Sequence, residues 1–255
     1  MRGGSGGPRF ATLHRVIEPV LGFAVLASGW AAPALTRVRA LRAAVCPGLA
    51  GTAPPGSAPP GSVALTFDDG PHPQGTPAVL AQLGRLGWTA TFFLLGEQVQ
   101  RYPQLAAALV AAGHEVAVHG YTHRNHLLRG PADVYRDLAR ATAVVQAATG
   151  SRPHWFRPPY GVLTLGSLLA ARGCGLQPVL WTAWGRDWEP GSAERVAATV
   201  RRQLRPGGTV LLHDSDCTAR VAGSWRATVA ALPRLAELLD EWGCTVRPLR
   251  EHLPG

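Results

Sequence analysis

The chain contains no lysine. All 25 of its basic residues are arginine, set against 16 acidic residues and giving a formal charge of +9. Six of those arginines and one glutamate fall in residues 1–60, so that stretch carries +5 and the rest of the chain only +4. A charge so dilute lacks the gathered basic face that nucleic-acid binding needs, and no nucleic-acid partner is expected. Cysteine is scarce as well. The four, at positions 46, 174, 217 and 244, form no Cys-x-x-Cys pair, which removes the zinc-knuckle signature. A Cys174–Cys244 bridge is open in an oxidising compartment, but spacing alone cannot establish it.

Long apolar runs are nearly absent. Residues 17–35, IEPVLGFAVLASGWAAPAL, are the one stretch that approaches the roughly 20 residues a membrane span requires. It carries Glu18, Pro19 and Pro33 near its ends, with Arg2, Arg9 and Arg15 before it and Arg37, Arg39 and Arg42 after. Equal arginine counts on the two sides fix no orientation. Residues 1–45 therefore read as a membrane anchor or export signal built on an N-terminal apolar helix, the alternative being an amphipathic helix packed on the domain. Residues 46–62, CPGLAGTAPPGSAPPGS, are too rich in proline, glycine and small residues to fold by burial and read as a flexible linker. An anchor, a tether and a domain over 63–255 suit a protein at the cell membrane, or exported, that faces the cell envelope.

From residue 62 onward, short apolar runs alternate with helical patterns, the signature of parallel βα units. Strands are expected near 63–68, 90–95, 115–119, 154–158, 176–182, 208–213 and 244–249, and helices near 76–86, 98–112, 131–148, 164–172, 192–203 and 224–241. The arrangement is either a barrel or an open wound sheet. What decides the function is how the strands end. Asp68 and Asp69 close the first, His119 the third, Arg157 the fourth and His213 the sixth, while the fifth runs on toward Asp187. Sites in both architectures lie at the carboxyl ends of parallel strands, so five strands deliver ionisable groups to one rim.

Asp68 and Asp69 are neighbours on a strand and point to opposite faces unless the chain bends, which Gly70 and Pro71 allow. His119 and His123, four residues apart, face one way if the chain turns helically between them. Two imidazoles and a carboxylate can grip a cation and leave positions open for water and substrate, as a catalytic metal site requires. His114 and His126 read as bystanders. In Arg157-Pro158-Pro159-Tyr160-Gly161 the consecutive prolines fix where Arg157 and Tyr160 point. Trp181, Trp184 and Trp188 bracket Asp187 and suit either the core or the apolar faces of sugars. His213 follows an apolar strand, ready for proton transfer near neutral pH.

The ordered set TFDDG, H-x-x-x-H, RPPYG, DW and LLHD resembles the polysaccharide deacetylase family, carbohydrate esterase family four, from about Val63 to the end. The resemblance implies a distorted (β/α)7 barrel of parallel strands and one divalent metal ion, usually zinc, that serves hydrolysis of an N-acetyl group on a glycan. Carried onto this chain, it makes Asp68 the catalytic base and Asp69, His119 and His123 the metal ligands. It gives Arg157 the orienting of Asp68, the Tyr160 N–H part of the oxyanion site, Asp187 the tuning of His213, and His213 the role of general acid. Trp188 and Leu211 shape the acetyl-methyl pocket. Two departures stand out. Gly120 occupies a position where the family usually has Ser or Thr, with Thr122 as a candidate brace, and Arg186 adds a positive charge where the family commonly has acids. Arg186 is therefore expected to face an anionic acceptor. Three rivals stay open on sequence grounds: a small-molecule amidohydrolase on the same scaffold, a non-catalytic glycan binder and a non-haem iron oxygenase.

Overall fold

The structure is a computed structural model that describes residues 28–38, 40–42, 48–56, 58, 61–219 and 221–254. Its frame is laid down by β1, Ser62–Asp68, every residue of which is buried. Alternation along the strand sends Val63, Leu65 and Phe67 outward into the layer of helices, while Ala64 packs with Phe93, Ala117, Trp155 and Val179. Full burial of an aromatic such as Phe67, stacked on Phe92 at 4.9 Å, contributes about 1.5–3 kcal/mol. The chain then alternates: α1 Gly75–Leu86, β2 Thr91–Leu94, α2 Gly96–Arg101, α3 Pro103–Ala111, β3 Glu115–Val118, α4 Pro131–Thr149, β4 Trp155–Phe156, α5 Leu165–Cys174, β5 Gln177–Pro178, β6 Ala183–Trp184, α6 Ala193–Gln203, β7 Thr209–His213, α7 Trp225–Glu241, β8 Thr245–Arg247 and α8 Leu249–His252.

The helix expected over 98–112 is two helices, because Pro103 disfavours helical angles at Tyr102, which sits at φ −133°, ψ 56°. Gly87 and Gly150 close their helices in the left-handed conformation, whereas the helix expected to stop before Gly173 runs on to Cys174 and is closed by Gly175. Cys174, Cys217 and Cys244 are free, so the Cys174–Cys244 bridge is not formed.

All strand pairs are parallel, in the order β5-β4-β3-β2-β1-β7-β6, and the curled sheet is the distorted (β/α)7 barrel. β8 is a short addition that pairs with Ser62–Ala64 along the edge where β2 pairs with Thr66–Asp68. The single strand expected over 176–182 is only β5 at its start; residues 179–182 lead on to β6, and β5 and β6 are the two ends of the order. That seam has no ladder.

Arg157 fills it from inside. This fully buried guanidinium donates to the carbonyls of Val179 (3.3 Å) and Leu180 (2.7 Å), to the Thr66 hydroxyl (2.8 Å) and to Asp68 Oδ1 (2.7 Å), and it lies 4.0 Å from the centre of the Phe93 ring. From outside, the seam is bound by residues expected to be a free tether. Leu180 N–H donates to Leu49 O, Thr209 Oγ1 to Gly51 O, and Ala53 N–H to Gly207 O. A segment without large side chains still offers backbone groups: Leu49 O meets the Leu180 N–H that the missing ladder leaves over, while Gly51 O and the Ala53 N–H bond to the start of β7 and the turn before it. Further upstream the buried Arg42 donates to Trp181 O at 2.6 Å. Residues 17–27 of the apolar stretch lie outside the described residues, among which no helix is long and apolar enough to cross a membrane.

Arg157→Met removes the guanidinium and leaves the Asp68 carboxylate and two carbonyls without their donors, so it should destabilise the protein by about 3–5 kcal/mol. A urea midpoint that drops with an unchanged slope checks this, and an unchanged midpoint would show that the seam does not depend on Arg157.

Candidate active site

β1 delivers its two carboxylates to one place by a backbone device. Asp69 has φ 76°, in the left-handed region, and is one of three non-glycine residues there among the described residues, with Tyr160 and Arg186. The reversal swings the Asp69 side chain to the same rim as Asp68, as the bend expected at this position requires. β3 ends immediately before His119, whose N–H donates to Leu94 O and whose Nδ1 lies 2.8 Å from Arg157 O. A proton on Nδ1 bonded to that carbonyl leaves the Nε2 lone pair facing the rim.

Asp69, His119 and His123 come together as a three-residue donor set. His119 Nε2 lies 3.3 Å, and His123 Nε2 3.6 Å, from Asp69 Oδ1. Ligand bonds of ~2.0–2.1 Å in a tetrahedron put neighbouring donors about 3.4 Å apart, so the spacing suits a small divalent cation. Asp69 Oδ1 is also buried without a hydrogen bond of good geometry, which is how a carboxylate oxygen reserved for a cation would look. Burial alone would raise the Asp69 pKa, but the close His119 imidazole and the charges of His123 and His119 outweigh it and hold the carboxyl well below the usual range. Burial pushes His123 down to about 4, which keeps its lone pair free near neutral pH. The residues fit a divalent metal.

The proton-transfer groups are set by sheet register. Asp68 and His213 are directly paired residues on β1 and β7, as are Thr66 and Leu211. Parallel neighbours about 4.8 Å apart present paired side chains to the same face, so Asp68 and His213 meet at the cleft. Asp68 Oδ1 is held by Arg157 at 2.7 Å, while Oδ2 lies 3.8 Å from His119 Nε2. His213 Nδ1 is 2.9 Å from Asp187 Oδ1, and Asp187 Oδ2 accepts from the His213 N–H and the Thr228 hydroxyl. Burial lowers the His213 pKa, yet the adjacent Asp187 carboxylate more than reverses this and raises it to about 10.

The cleft above these groups has a volume of about 430 Å³. Trp181, Trp184, Trp188 and Leu211 line it, as do Tyr160 and Thr218, so the tryptophans are rim residues and not only packing. Tyr160, at φ 60°, sets its ring edge-on to His123 at 4.4 Å. Arg186 does not line the cleft. Its guanidinium is bonded to Glu189, which neutralises the charge expected there. His114 packs edge-on against Phe92 and His126 bonds to Ser167, both apart from the donor set.

Three contributors escaped the motif reading. Asp137 on α4 is a buried carboxylate that accepts from the Tyr121 N–H, the Thr122 hydroxyl and Arg129, and so braces the loop between the two histidines. Gly120 is required beside it, since a Cβ there would lie 3.1 Å from Asp137 Oδ2 at a φ of 101°. Asp137 was detectable as a charge on the helix face that also carries Val134, Leu138 and Ala141. Thr218, whose hydroxyl bonds Asp69 Oδ2, and Arg37, which reaches the cleft from upstream, left no such signal.

A family model described as polysaccharide deacetylase matches residues 56–179. A chitooligosaccharide deacetylase of Bradyrhizobium is 38% identical over 196 residues, which cover 74% of this chain and 89% of that protein. Among solved structures, a peptidoglycan N-acetylglucosamine deacetylase superposes with a TM-score of 0.73 at 27% identity, covering 79% of this chain and 91% of its own. A carbohydrate esterase family 4 pseudoenzyme from Bacillus anthracis matches with a TM-score of 0.68 at 28% identity, over 75% and 66% of the two chains. Since a pseudoenzyme shares the fold, the side chains and not the fold must carry any claim of catalysis.

Titrating a divalent metal into metal-free protein should raise its melting temperature in proportion to affinity. The rise should vanish in His119→Ala and persist in Asp68→Asn. An equal rise in His119→Ala would remove that imidazole from the ligand set.

Proposed function

The chain belongs to the polysaccharide deacetylase family, and on that premise we propose that it hydrolyses the N-acetyl amide of a cell-envelope glycan, releasing acetate and leaving a free amine. The observation that carries this reading is the pairing of Asp68 with His213 across β1 and β7, beside the Asp69, His119 and His123 cluster. A proton acceptor, a proton donor and a cation site around one cleft are what amide hydrolysis needs, and binding alone does not call for both an acid and a base. A divalent cation, zinc in this reading, would be held by Asp69, His119 and His123 and would supply Lewis acidity that makes an amide carbonyl and a water reactive near neutral pH.

The remaining roles belong to the chain. Asp68 accepts the proton of the attacking water on the oxygen that Arg157 leaves free, and Arg157 keeps the carboxylate aimed. The Tyr160 N–H, turned by its left-handed backbone, assists the oxyanion. Asp187 holds His213 through Nδ1, leaving Nε2 to protonate the departing amine. Trp188 and Leu211 wall the space for the acetyl methyl. The arginine-flanked apolar stretch at 17–35 supports a protein attached to the membrane or exported across it, acting on an envelope glycan.

Incubation with N-acetylglucosamine oligomers should release acetate, and chelation should abolish the release. If a cyclic imide is hydrolysed and acetylated glycans are not, the small-molecule amidohydrolase reading replaces this one. Asp68→Asn should lower kcat by about 10²- to 10⁴-fold while metal stays bound, the range that general base catalysis supplies. Asp187→Asn removes the charge that keeps His213 protonated. Because the acid form is the active one, activity falls as pH rises through its pKa, and the alkaline limb of the kcat/KM profile should move down by about 1–3 pH units. An unmoved limb would detach Asp187 from the general acid.

A further inference from the structure

The catalytic cleft continues past His123 and Tyr160 into a second cavity of about 540 Å³, and the two share Arg37 as well as those residues. Resting on the deacetylase reading, we infer that this adjoining cavity is an anionic subsite, in which Arg37 and Arg124 receive a carboxylate or phosphate carried by the glycan beside the sugar being deacetylated.

Among the described residues no acidic side chain lines the second cavity, and three arginines do: Arg37, Arg124 and Arg129. Arg129 is committed to Asp137 at 2.7 Å. Arg37 and Arg124 are exposed and form no ion pair with a carboxylate among the described residues. Two guanidinium groups at one opening, without a counter-ion, favour an incoming anion, and their planar forks match the two oxygens of a carboxylate or phosphate.

Arg37 is placed there by structure. It ends the short 3-10 helix Ala32–Arg37, whose Thr36 carbonyl is gripped by the buried Arg42 at 2.8 Å, the same guanidinium that bonds Trp181 O. Upstream, the Trp30 ring lies so close to α5 that a Cβ on Gly166 would come within 2.3 Å of it. The segment is thus fixed at two points, Trp30 and Arg42, with Arg37 between them over the cavity. It lies upstream of residues 56–179, the part matched by the family model. Arg186, the cation expected to serve an anionic acceptor, is neutralised by Glu189 and lines neither cavity.

The test compares kcat/KM for three N-acetylated oligosaccharides of equal length: one neutral, one with a carboxylate on a neighbouring sugar and one with a phosphate there. Wild-type protein should favour at least one charged substrate over the neutral one, more so at low salt. The double variant Arg37→Gln/Arg124→Gln should cut that preference roughly tenfold, mainly through KM, as expected for loss of charge-assisted contacts. Arg186→Gln should leave the preference where it is. The charged substrate that loses more identifies whether carboxylate or phosphate is the natural group. A preference equal in wild type and double variant overturns the subsite while leaving the deacetylase intact. If none of the three substrates releases acetate, the deacetylase reading fails, and calorimetric titration of the charged oligosaccharides decides the subsite alone. Weaker binding to the double variant then upholds it, and equal binding overturns it.

Discussion

The contact between the Arg157 guanidinium and the Asp68 carboxylate ties the barrel to its chemistry. Removing an arginine from water costs several kcal/mol, and that cost is offset only when its donors are met with good geometry. Here they are met by two carbonyls of an unladdered seam, a threonine hydroxyl and the carboxylate assigned as base. The same cation therefore closes the barrel and aims Asp68 at the cleft.

A similar coupling holds on the metal side. Asp69 takes a left-handed backbone conformation that costs about 1–3 kcal/mol for a non-glycine residue. The residue that follows is closely packed: a Cβ on Gly70 would fall 2.5 Å from Asp214 Oδ2, and Asp214 accepts from the Thr76 hydroxyl. Burial raises Asp214 to about 7, consistent with a carboxyl that ties the loop instead of serving the cleft. The strain is sited where it does something, turning a side chain that a regular strand would send outward to the rim it shares with Asp68.

What the sequence makes legible follows from chain periodicity. Parallel strands end at one rim, so a run of apolar residues closed by Asp, His or Arg announces a site group. Asp68, Asp69, His119, Arg157 and His213 could be found this way. The bend at Asp69 could be inferred from Gly70 and Pro71. Groups that act through tertiary contacts could not be read so directly. Asp137 sits mid-helix and matters only because the 119–123 loop passes over it, and Thr218 is a loop threonine until Asp69 is seen beside it. The seam was invisible for the opposite reason: residues 176–182 have the composition of one strand, yet they pair with β4 at one end and bond to β7 at the other, where the Thr182 N–H donates to Thr209 O, and the change of partner falls between.

The upstream segment shows how composition misleads. Proline, glycine and alanine argue against burial-driven folding, yet Ala50 is buried and Leu49 packs on the core, and Leu49, Gly51 and Ala53 are also held through backbone groups. Composition measures what side chains can bury, whereas a barrel with an open seam offers backbone partners to any chain of suitable shape. Further upstream, Arg42 bound to Trp181 O and Trp30 packed on α5 hold the residues that bring Arg37 to the cleft. Had the seam been closed by a regular ladder, neither Leu49 nor Arg42 would have found its partner at 180–181, and the approach to the catalytic groups would be formed by the barrel loops alone.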